Sequence, residues 1–269
     1  MSSGMSKKSK ADVRNALFRQ FEMHENVAAE IGKYKDNFSR FDKARQVLFS
    51  DLQAIVSTSR SEHPMELFAE RRFDARVKSE FSLTVKLFNK MWHNCGYDDQ
   101  GAWPQTPTPP YFDKLIEPVE LKKAYEDIKD MVGGRVVVCC ADYMEMAIER
   151  VKVKLKNLGY YIYKNMDKDF IRKPKRTYYG YHIFVKVPIG AADKKNGKRG
   201  RPEVIAELQI QTLLGNAWAV FEHDTYYKKA LTPGNQLVPE DVTRDVELIN
   251  AGLIVNDGLL GVMIKRLND

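Results

Sequence analysis

Residues 204–212 read Val-Ile-Ala-Glu-Leu-Gln-Ile-Gln-Thr, and the alternation within this stretch decides the fold. Neighbouring side chains of a β-strand point to opposite faces of the sheet, so every second residue shares a face. One set is apolar and suits a hydrophobic core: Val204, Ala206, Leu208 and Ile210. The other set places a carboxylate and two amides together: Ile205, Glu207, Gln209 and Gln211. The stretch therefore predicts a strand with one core face and one polar face.

The segment 181–187 shows the same division. Its apolar residues alternate with His182, Phe184 and Lys186. Two strands therefore offer polar groups on one side of the sheet, as a binding face would. A solvated face of an antiparallel sheet gives the same pattern, so these two strands alone do not separate a site from ordinary surface.

Periodicity elsewhere predicts the architecture. Apolar residues at three- and four-residue steps indicate N-terminal helices within 11–57 and C-terminal helices within 239–267. Further helices are expected at 79–92, 119–128, 144–158 and 213–229, and further strands at 135–140 and 160–163. The prediction is an α+β fold, a mixed β-sheet of about four to five strands flanked by helices, with helical N- and C-terminal arms.

We expect residues 11–269 to form a single domain after a flexible tail at 1–10. Residues 93–117 hold four prolines, so they are expected to form a surface insertion rather than part of the core. The sequence suggests no role for this insertion.

The composition is that of a globular chain with a basic excess. Of 269 residues, 43 are Lys or Arg and 36 are Asp or Glu, a net charge of +7. This excess suits a polyanionic partner such as a nucleotide or nucleic acid, although it also serves solubility alone. No apolar stretch reaches the ~18 residues of a membrane helix, and the polar, basic start is not a secretory signal. Three cysteines without zinc-ligand spacing favour a reducing compartment, so we expect a cytoplasmic protein without a membrane partner.

The stretch 130–136 reads Asp-Met-Val-Gly-Gly-Arg-Val and supplies a second acidic candidate. Its glycine pair permits close approach of backbone and ligand, and Arg135 follows at the entry of a strand. We expect Asp130 and Glu207 to lie on neighbouring strands and to share one Mg²⁺, which prefers hard oxygen ligands and substrate phosphates. The alternative is that Asp130 only ends the preceding helix.

A phosphate site is predicted at 76–86. Ser79, Ser82 and Lys86 fall within about 60° of one another on the predicted helix, opposite its apolar residues. Arg76 and Lys78 lie just before the helix N-terminus, where free N–H groups, hydroxyls and cations together bind anions. An ordinary capped helix with a solvated basic face is the alternative interpretation.

Cations and aromatic residues are interleaved at 164–182. Six Lys or Arg residues stand against two Asp between Lys164 and Arg176, and tyrosines follow. Such a mixture suits a phosphorylated base, because a ring stacks on the base and cations hold the phosphates. A basic loop whose tyrosines serve packing is the alternative.

Five motifs in this order resemble the synthetase domain of the RelA/SpoT family of alarmone synthetases, over about residues 70–230. They are R-x-K-S-x-x-S-x-x-x-K at 76–86, D-x-x-G-x-R-V at 130–136, K-D-F-I-x-x-P-K at 168–175, E-x-Q-I-x-T at 207–212, and Trp218 followed by Glu222-His223 and Tyr227-Lys228. The chain is similar to the small, single-domain members of this family, and the resemblance implies a nucleotidyltransferase-like fold.

The resemblance also implies roles for individual residues. The family moves the β,γ-pyrophosphate of ATP to a ribose 3′-hydroxyl and releases AMP. By similarity, Asp130 and Glu207 would carry Mg²⁺, and Glu207 would take the proton of the 3′-hydroxyl. The implied ATP-binding residues are Arg76 and Arg135 beside the adenine, and Lys78, Ser79, Ser82 and Lys86 on the phosphates. The implied acceptor-binding residues are Lys175, Tyr178 as a stacking ring, His182 and Gln209.

Two departures from the family pattern lie near the expected acceptor pocket. The family has G-Y-x-S-x-H where this chain reads Thr-Tyr-Tyr-Gly-Tyr-His at 177–182. It also has Arg where this chain has Gln211, which removes a cation. The ATP half of the site therefore follows the family more closely than the acceptor half.

Three functions are carried forward. The first is synthesis of guanosine tetra- or pentaphosphate from ATP and GDP or GTP. The second is a toxic relative that pyrophosphorylates the 3′ end of tRNA or makes adenosine alarmones. The third is a catalytically inactive nucleotide- or RNA-binding module, against which the presence of both acidic residues argues. The resemblance leaves open an antitoxin partner and a homo-oligomer.

Overall fold

The computed structural model describes residues 10–62, 68–97, 111–169, 180–190, 203–222 and 240–268. Its helices are α1 (Lys10–Glu22), α2 (Glu25–Asp36), α3 (Phe38–Glu62), α4 (Glu80–Asn94), α5 (Tyr111–Leu115), α6 (Pro118–Glu126), α7 (Met144–Asn157), α8 (Leu213–Glu222) and α9 (Glu240–Asn268). Its strands are β1 (Phe68–Val77), β2 (Val132–Val138), β3 (Tyr161–Ile162), β4 (Lys168–Asp169), β5 (Tyr181–Pro188) and β6 (Glu203–Thr212). A 3-10 turn, Ala141–Tyr143, precedes α7.

The described residues fall into two compact units. The helical unit contains those of Met1–Asn37 and Ser79–Ile128, and therefore α1, α2, α4, α5 and α6. The sheet unit contains those of Phe38–Lys78, Lys129–Asp224 and Pro239–Asp269, and therefore all six strands with α3, α7, α8 and α9.

Aromatic packing holds α1 to α4 in the helical unit. The ring centroids of Phe18 and Phe21 both lie 5.2 Å from that of Phe88, with the rings edge to face. Arg14 covers the Phe88 ring at 5.8 Å and donates a hydrogen bond to Asn89 Oδ1 at 2.6 Å. Such aromatic pairs add ~0.5–1.5 kcal/mol each beyond the burial of their surface. This packing uses the apolar side of α4 and leaves Ser79 and Ser82 exposed at its start.

The sheet unit is built on a mixed six-stranded sheet. The strand order is β1-β2-β6-β5-β3, and β4 pairs with β5 beside this path. The pair β2–β6 is parallel, and the other pairs are antiparallel. The predicted mixed sheet is therefore confirmed, and two of its strands are only two residues long.

One face of the sheet is covered by α3 and α7. Leu48 and Leu52 of α3 and Val151 and Leu155 of α7 are fully buried in the same cluster as the apolar set of β6. The alternation predicted for residues 204–212 is therefore confirmed, because every second residue of β6 joins this core.

Several boundaries differ from the sequence prediction. The N-terminal helices extend past residue 57 to Glu62, because Ile55 and Val56 of α3 pack in the sheet core. The C-terminal helices predicted at 239–267 are one helix, α9, whose three glycines, Gly252, Gly258 and Gly261, do not break it. Residue 10 begins α1, while 1–9 of the predicted tail lie outside the described residues. None of the described helices is long and apolar enough to cross a membrane.

The proline-rich segment 93–117 is not wholly a surface insertion. Its first residues are helical, and Tyr97 is buried against Trp92, with ring centroids 5.1 Å apart. Its end forms α5, whose Leu115 is fully buried. The prolines themselves lie outside the described residues. The prolines predicted an irregular segment, but they did not indicate that residues at both of its ends, Tyr97 and Leu115, are buried.

The glycine pair of β2 serves two different purposes. A Cβ at Gly134 would approach Leu48 Cδ2 to 2.9 Å and Leu208 Cδ1 to 3.1 Å, because this residue faces α3 across the core. A Cβ at Gly133 would meet nothing closer than 3.8 Å. The sequence analysis interpreted both glycines as letting a ligand come close to the backbone. The structure shows instead that Gly134 leaves space for Leu48 and Leu52 of α3.

Gly134→Ala is therefore expected to lower the free energy of unfolding by ~1–3 kcal/mol, since it overpacks a filled core. Gly133→Ala is the matched control, expected to cost under ~1 kcal/mol. Urea unfolding followed by circular dichroism compares the two variants. Equal losses would contradict the assignment of Gly134 to packing against α3.

A buried acid of α9, Asp257, lies near Thr212 at the end of β6. Asp257 is fully buried, and burial raises its pKa from 3.8 to about 6, with Asp142 adding to the rise and the Thr212 hydroxyl opposing it. The unfolded chain therefore ionises Asp257 more readily than the folded chain. The resulting cost to the folded state is absent below pH ~4 and complete above pH ~6, reaching at most ~3 kcal/mol.

Asp257→Asn is expected to raise the free energy of unfolding by ~1–3 kcal/mol at pH 7.5, because it removes this cost. The gain should shrink toward pH 4. Asp245→Asn, at an exposed position of the same helix, is the control and should change little at either pH. Denaturant unfolding at both pH values measures the difference, and a gain independent of pH would contradict the proposed cause.

Candidate active site

The face of the sheet opposite α3 and α7 presents two rows of side chains. In the first row, His182 pairs with Gln209, which pairs with Arg135 on β2. In the second row, Phe184 pairs with Glu207, which pairs with Gly133. Directly paired residues share a face, so these rows bring the polar side chains of three strands together. This confirms the predicted shared face of Glu207, Gln209 and His182.

Glu207 is the centre of a hydrogen-bond network. Its Oε1 lies 3.0 Å from His182 Nδ1 and 3.4 Å from Lys168 Nζ, and its Oε2 accepts a hydrogen bond from Gln209 Nε2 at 3.3 Å. Glu207 is 9% exposed. A carboxylate this buried needs compensation, which the lysine, the amide and the imidazole provide. With Glu207 ionised, Nδ1–H of His182 donates to it.

Lys168 was absent from the residues selected on sequence. It belongs to β4, where its Cα pairs with that of His182, so both side chains lie on the Glu207 face. Its Nζ also lies 5.0 Å from the centroid of the Phe184 ring. The motif at 168–175 contained Lys168, but nothing local showed that it reaches a carboxylate 39 residues further along the chain.

Arg135 sets the orientation of the Gln209 amide. Its Nη2 donates to Gln209 Oε1 at 3.3 Å, and its Nη1 donates to Asn216 Oδ1 at 3.0 Å. Because the Gln209 oxygen accepts from Arg135, its NH₂ group is directed toward Glu207. Asn216 of α8 was also missed on sequence, where no motif distinguished it. The predicted placement of Arg135 beside adenine stays a prediction.

Asp130 lies beside Lys78 in the sheet unit. The Lys78 Nζ and Asp130 Oδ2 are 3.1 Å apart, with both side chains more than four-fifths buried. The backbone N–H of Lys78 donates to the Met131 carbonyl at 2.9 Å, which continues the β1–β2 pairing beyond the end of β1. Arg76, two residues before Lys78, stands opposite Gly133, and its Cγ lies 3.9 Å from the position that a Cβ at Gly133 would occupy. Asp130 therefore does not end the preceding helix, because α6 ends at Glu126. The prediction that it lies on a strand beside that of Glu207 is wrong, because β2 begins only at Val132, and Asp130 precedes it.

The start of α4, in the helical unit, has the predicted capping geometry. Ser79 is the N-cap, and its Oγ accepts a hydrogen bond from the Ser82 N–H at 3.2 Å. The two hydroxyl oxygens lie 2.8 Å apart. Lys86 lies on the same helix and is half-buried. The N-cap is confirmed, whereas binding of ATP phosphates by Ser79, Ser82 and Lys86 stays a prediction.

The acceptor half is described only in part. Lys175, Tyr178 and Thr177 lie outside the described residues. Gln211, which replaces the arginine of the family pattern, is fully buried and pairs with Val137. It therefore presents no amide at the surface of the site.

The acidic residues suit Mg²⁺ bound together with a nucleotide. Within the described residues, no cluster of three or more His, Cys, Asp or Glu side chains could hold a metal alone. Mg²⁺ at nucleotide sites commonly takes one or two carboxylates, with substrate phosphates and water completing its coordination. Asp130 and Glu207 offer hard oxygen donors of this kind, and each lies beside a lysine that balances its charge. The chemistry of these two carboxylates therefore fits Mg²⁺, whereas their sharing of one ion stays a prediction.

Comparisons with known proteins find similar chains. A family model described as "Region found in RelA / SpoT proteins" matches residues 110–232. The curated relative "GTP pyrophosphokinase YwaC" of Bacillus subtilis is 26% identical over 146 residues, which cover 54% of this chain and 62% of the relative. The match thus spans just under two thirds of that relative's length.

Solved structures share the fold. Small alarmone synthetase 1 from Bacillus subtilis, bound to its product pppGpp, matches with a TM-score of 0.61 at 18% identity, covering 88% of this chain and 100% of that chain. The same synthetase bound to AMPCPP matches with a TM-score of 0.57 at 18% identity, covering 88% and 99%. Residues 110–232 thus match the RelA/SpoT region, and the chain has the fold of the small alarmone synthetases.

Proposed function

We propose that this protein is an ATP-dependent pyrophosphokinase that transfers the β,γ-pyrophosphate of ATP to the ribose 3′-hydroxyl of GDP or GTP. The observation that carries the proposal is the environment of Glu207, a carboxylate held by His182, Lys168 and Gln209 on the sheet face opposite α3 and α7. The names of the relatives support the same chemistry, since one is a GTP pyrophosphokinase and another was solved with pppGpp.

The proposed reaction is a single displacement at the β-phosphorus. The acceptor 3′-oxygen forms a bond to this phosphorus, the bond between the phosphorus and the α,β-bridging oxygen breaks, and AMP leaves with that electron pair. Glu207 Oε1 or Oε2 takes the 3′-hydroxyl proton. His182 and Gln209 hold the carboxylate and orient the acceptor. Mg²⁺ on Asp130 and Glu207 would neutralise phosphate charge, the main requirement of phosphoryl-type transfer.

The remaining assignments are carried as proposals. We assign the adenine to Arg76 and Arg135, and the ATP phosphates to Lys78, Ser79, Ser82 and Lys86. The acceptor base is assigned to Tyr178 and its phosphates to Lys175. The AMPCPP complex of a protein with the same fold supports an ATP site of this type.

The identity of the acceptor is the decisive measurement. Purified protein is incubated with Mg²⁺, γ-labelled ATP and one acceptor at a time: GDP, GTP, ADP or bulk tRNA. Label on GDP or GTP with equimolar release of AMP is the expected result. Label only on ADP would assign an adenosine alarmone synthetase, and label only on tRNA an RNA-modifying enzyme. ATP binding without any transfer would favour an inactive binding module. The same assay is performed with a Glu207→Gln variant purified in the same way. Absence of transfer by this variant excludes a contaminating enzyme as the source of the activity.

A further inference from the structure

We propose that Lys152, Asp167 and Tyr181 form a register lock that places Lys168 at Glu207, and that these three are positioning residues for the reaction. The proposal rests on the pyrophosphokinase function proposed above. None of the three belongs to the site residues selected on sequence, and all lie on the opposite face of the sheet from Glu207.

The lock is a closed triangle of polar contacts. Asp167 Oδ2 accepts hydrogen bonds from Lys152 Nζ and from the Tyr181 hydroxyl, both at 2.8 Å. Lys152 Nζ also donates to the Tyr181 hydroxyl at 3.2 Å and lies 5.0 Å from the centroid of its ring. The Lys152 and Asp167 side chains are 17% and 19% exposed, so water competes little for these bonds. One oxygen of Asp167, the residue before β4, therefore binds both α7, through Lys152, and β5, through Tyr181.

The position of this triangle bears directly on Lys168. Within the described residues, which stop at 169 before resuming at 180, β4 consists of Lys168 and Asp169, paired with His182 and Tyr181 of β5. So short an edge strand has few backbone hydrogen bonds to define its register. A slip of one residue along β5 would turn Lys168 to the opposite face, away from Glu207. Asp167 directly precedes Lys168 and is bound on the α7 side, so the slip would break its charge-assisted bonds.

Lys168 is the residue through which the lock would act. It is half exposed, and its contacts to Glu207 and to the Phe184 ring are longer than the bonds of the lock. Its own contacts therefore do not hold the strand in place. The hydrogen bonds among Lys152, Asp167 and Tyr181, on the opposite face of the sheet, hold the strand instead.

A double-mutant cycle tests the proposal. Asp167→Asn and Tyr181→Phe are each expected to lower kcat/KM about tenfold, the scale of one hydrogen bond to a charged group, with the same division between kcat and KM as Lys168→Met. In the Lys168→Met background, neither change should lower the rate further, because the residue they position is gone. Asp51→Asn is the matched control: it neutralises the acceptor of another Tyr–Asp hydrogen bond of the sheet unit, from Tyr160 at 2.6 Å, as Asp167→Asn does in the lock, and should leave kcat/KM unchanged.

Equal losses in both backgrounds would show a merely structural role and overturn the proposal. So would unchanged activity in Asp167→Asn, or in Lys168→Met. Hydrogen–deuterium exchange of the segment 161–169 provides a readout without turnover. Tyr181→Phe, which leaves that segment's sequence intact, should speed its exchange, whereas Asp51→Asn should not. If the wild-type protein transfers label to no acceptor, the proposed function fails, and faster exchange in Tyr181→Phe still supports the lock; unchanged exchange would overturn it.

Discussion

Glu207→Gln is expected to abolish pyrophosphate transfer while the protein stays folded. Glutamine keeps the size of the side chain and can still accept a hydrogen bond from His182 or Lys168. It cannot take a proton from the acceptor hydroxyl, and it loses the negative charge that Lys168 and Mg²⁺ would share. Loss of a general base costs about 10²–10⁴ in rate, and loss of a metal ligand adds to this, so we expect a fall in kcat of at least ~10³.

The loss of kcat is measured from initial rates with saturating ATP and the acceptor that the labelling experiment identifies. Thermal unfolding checks that the variant is folded. Glu203→Gln is the matched control. This residue lies on the same strand and also pairs with a lysine, Lys186, at 3.1 Å, but both side chains are more than one-third exposed. Its turnover should stay within about twofold, since exposed ion pairs contribute little. Transfer at the wild-type rate in Glu207→Gln would remove the role assigned to this carboxylate.

Asp130→Asn is expected to lower kcat/KM by at least ~10² and to raise the Mg²⁺ concentration needed for half-maximal rate. The carboxylate is one of two proposed metal ligands, and a metal that neutralises transferring phosphate contributes several kcal/mol to the transition state. The change also frees the Lys78 ammonium, which lies 3.1 Å from Asp130. Losing the carboxylate and releasing the Lys78 ammonium both change the affinity of the site for Mg²⁺ and for the phosphates of ATP.

Initial rates over a series of Mg²⁺ concentrations distinguish metal binding from a general defect. The control is Asp127→Asn, three residues earlier, whose side chain is 67% exposed and pairs with Lys90 at 3.3 Å. This variant should show the wild-type Mg²⁺ dependence. If Asp130→Asn lost activity with an unchanged Mg²⁺ requirement, the residue would act without the metal and the shared-cation assignment would fail.

The strands that carry the site were predictable because strand geometry is local. Alternation within nine residues was enough to put Glu207 and Gln209 on one face and the core residues on the other. The N-cap of α4 was predictable for the same reason, since Ser79 and Ser82 are three residues apart and their contact forms within one turn. Wherever the relevant partner lies within a few residues, the spacing of side-chain types specifies the contact.

The glycine pair shows where local reasoning stops. Residues 133 and 134 look equivalent in the sequence, and both were assigned to ligand approach. The difference between them comes from α3, which lies about 85 residues earlier and covers only one face of the sheet. Lys168 and Asn216 were missed for the same reason, because their partners Glu207 and Arg135 lie 39 and 81 residues away.

The order of side-chain types along the chain thus specified which face of each strand is polar and which residues are candidates for the site. Strand pairing and register then decided which side chains meet: His182 and Gln209 at Glu207, Lys168, which the sequence had not distinguished, beside them, and Arg135 behind Gln209. The physical reason is that the direction of a side chain follows from its own backbone. Its neighbours across the sheet follow from the packing of the whole core, which no short stretch contains.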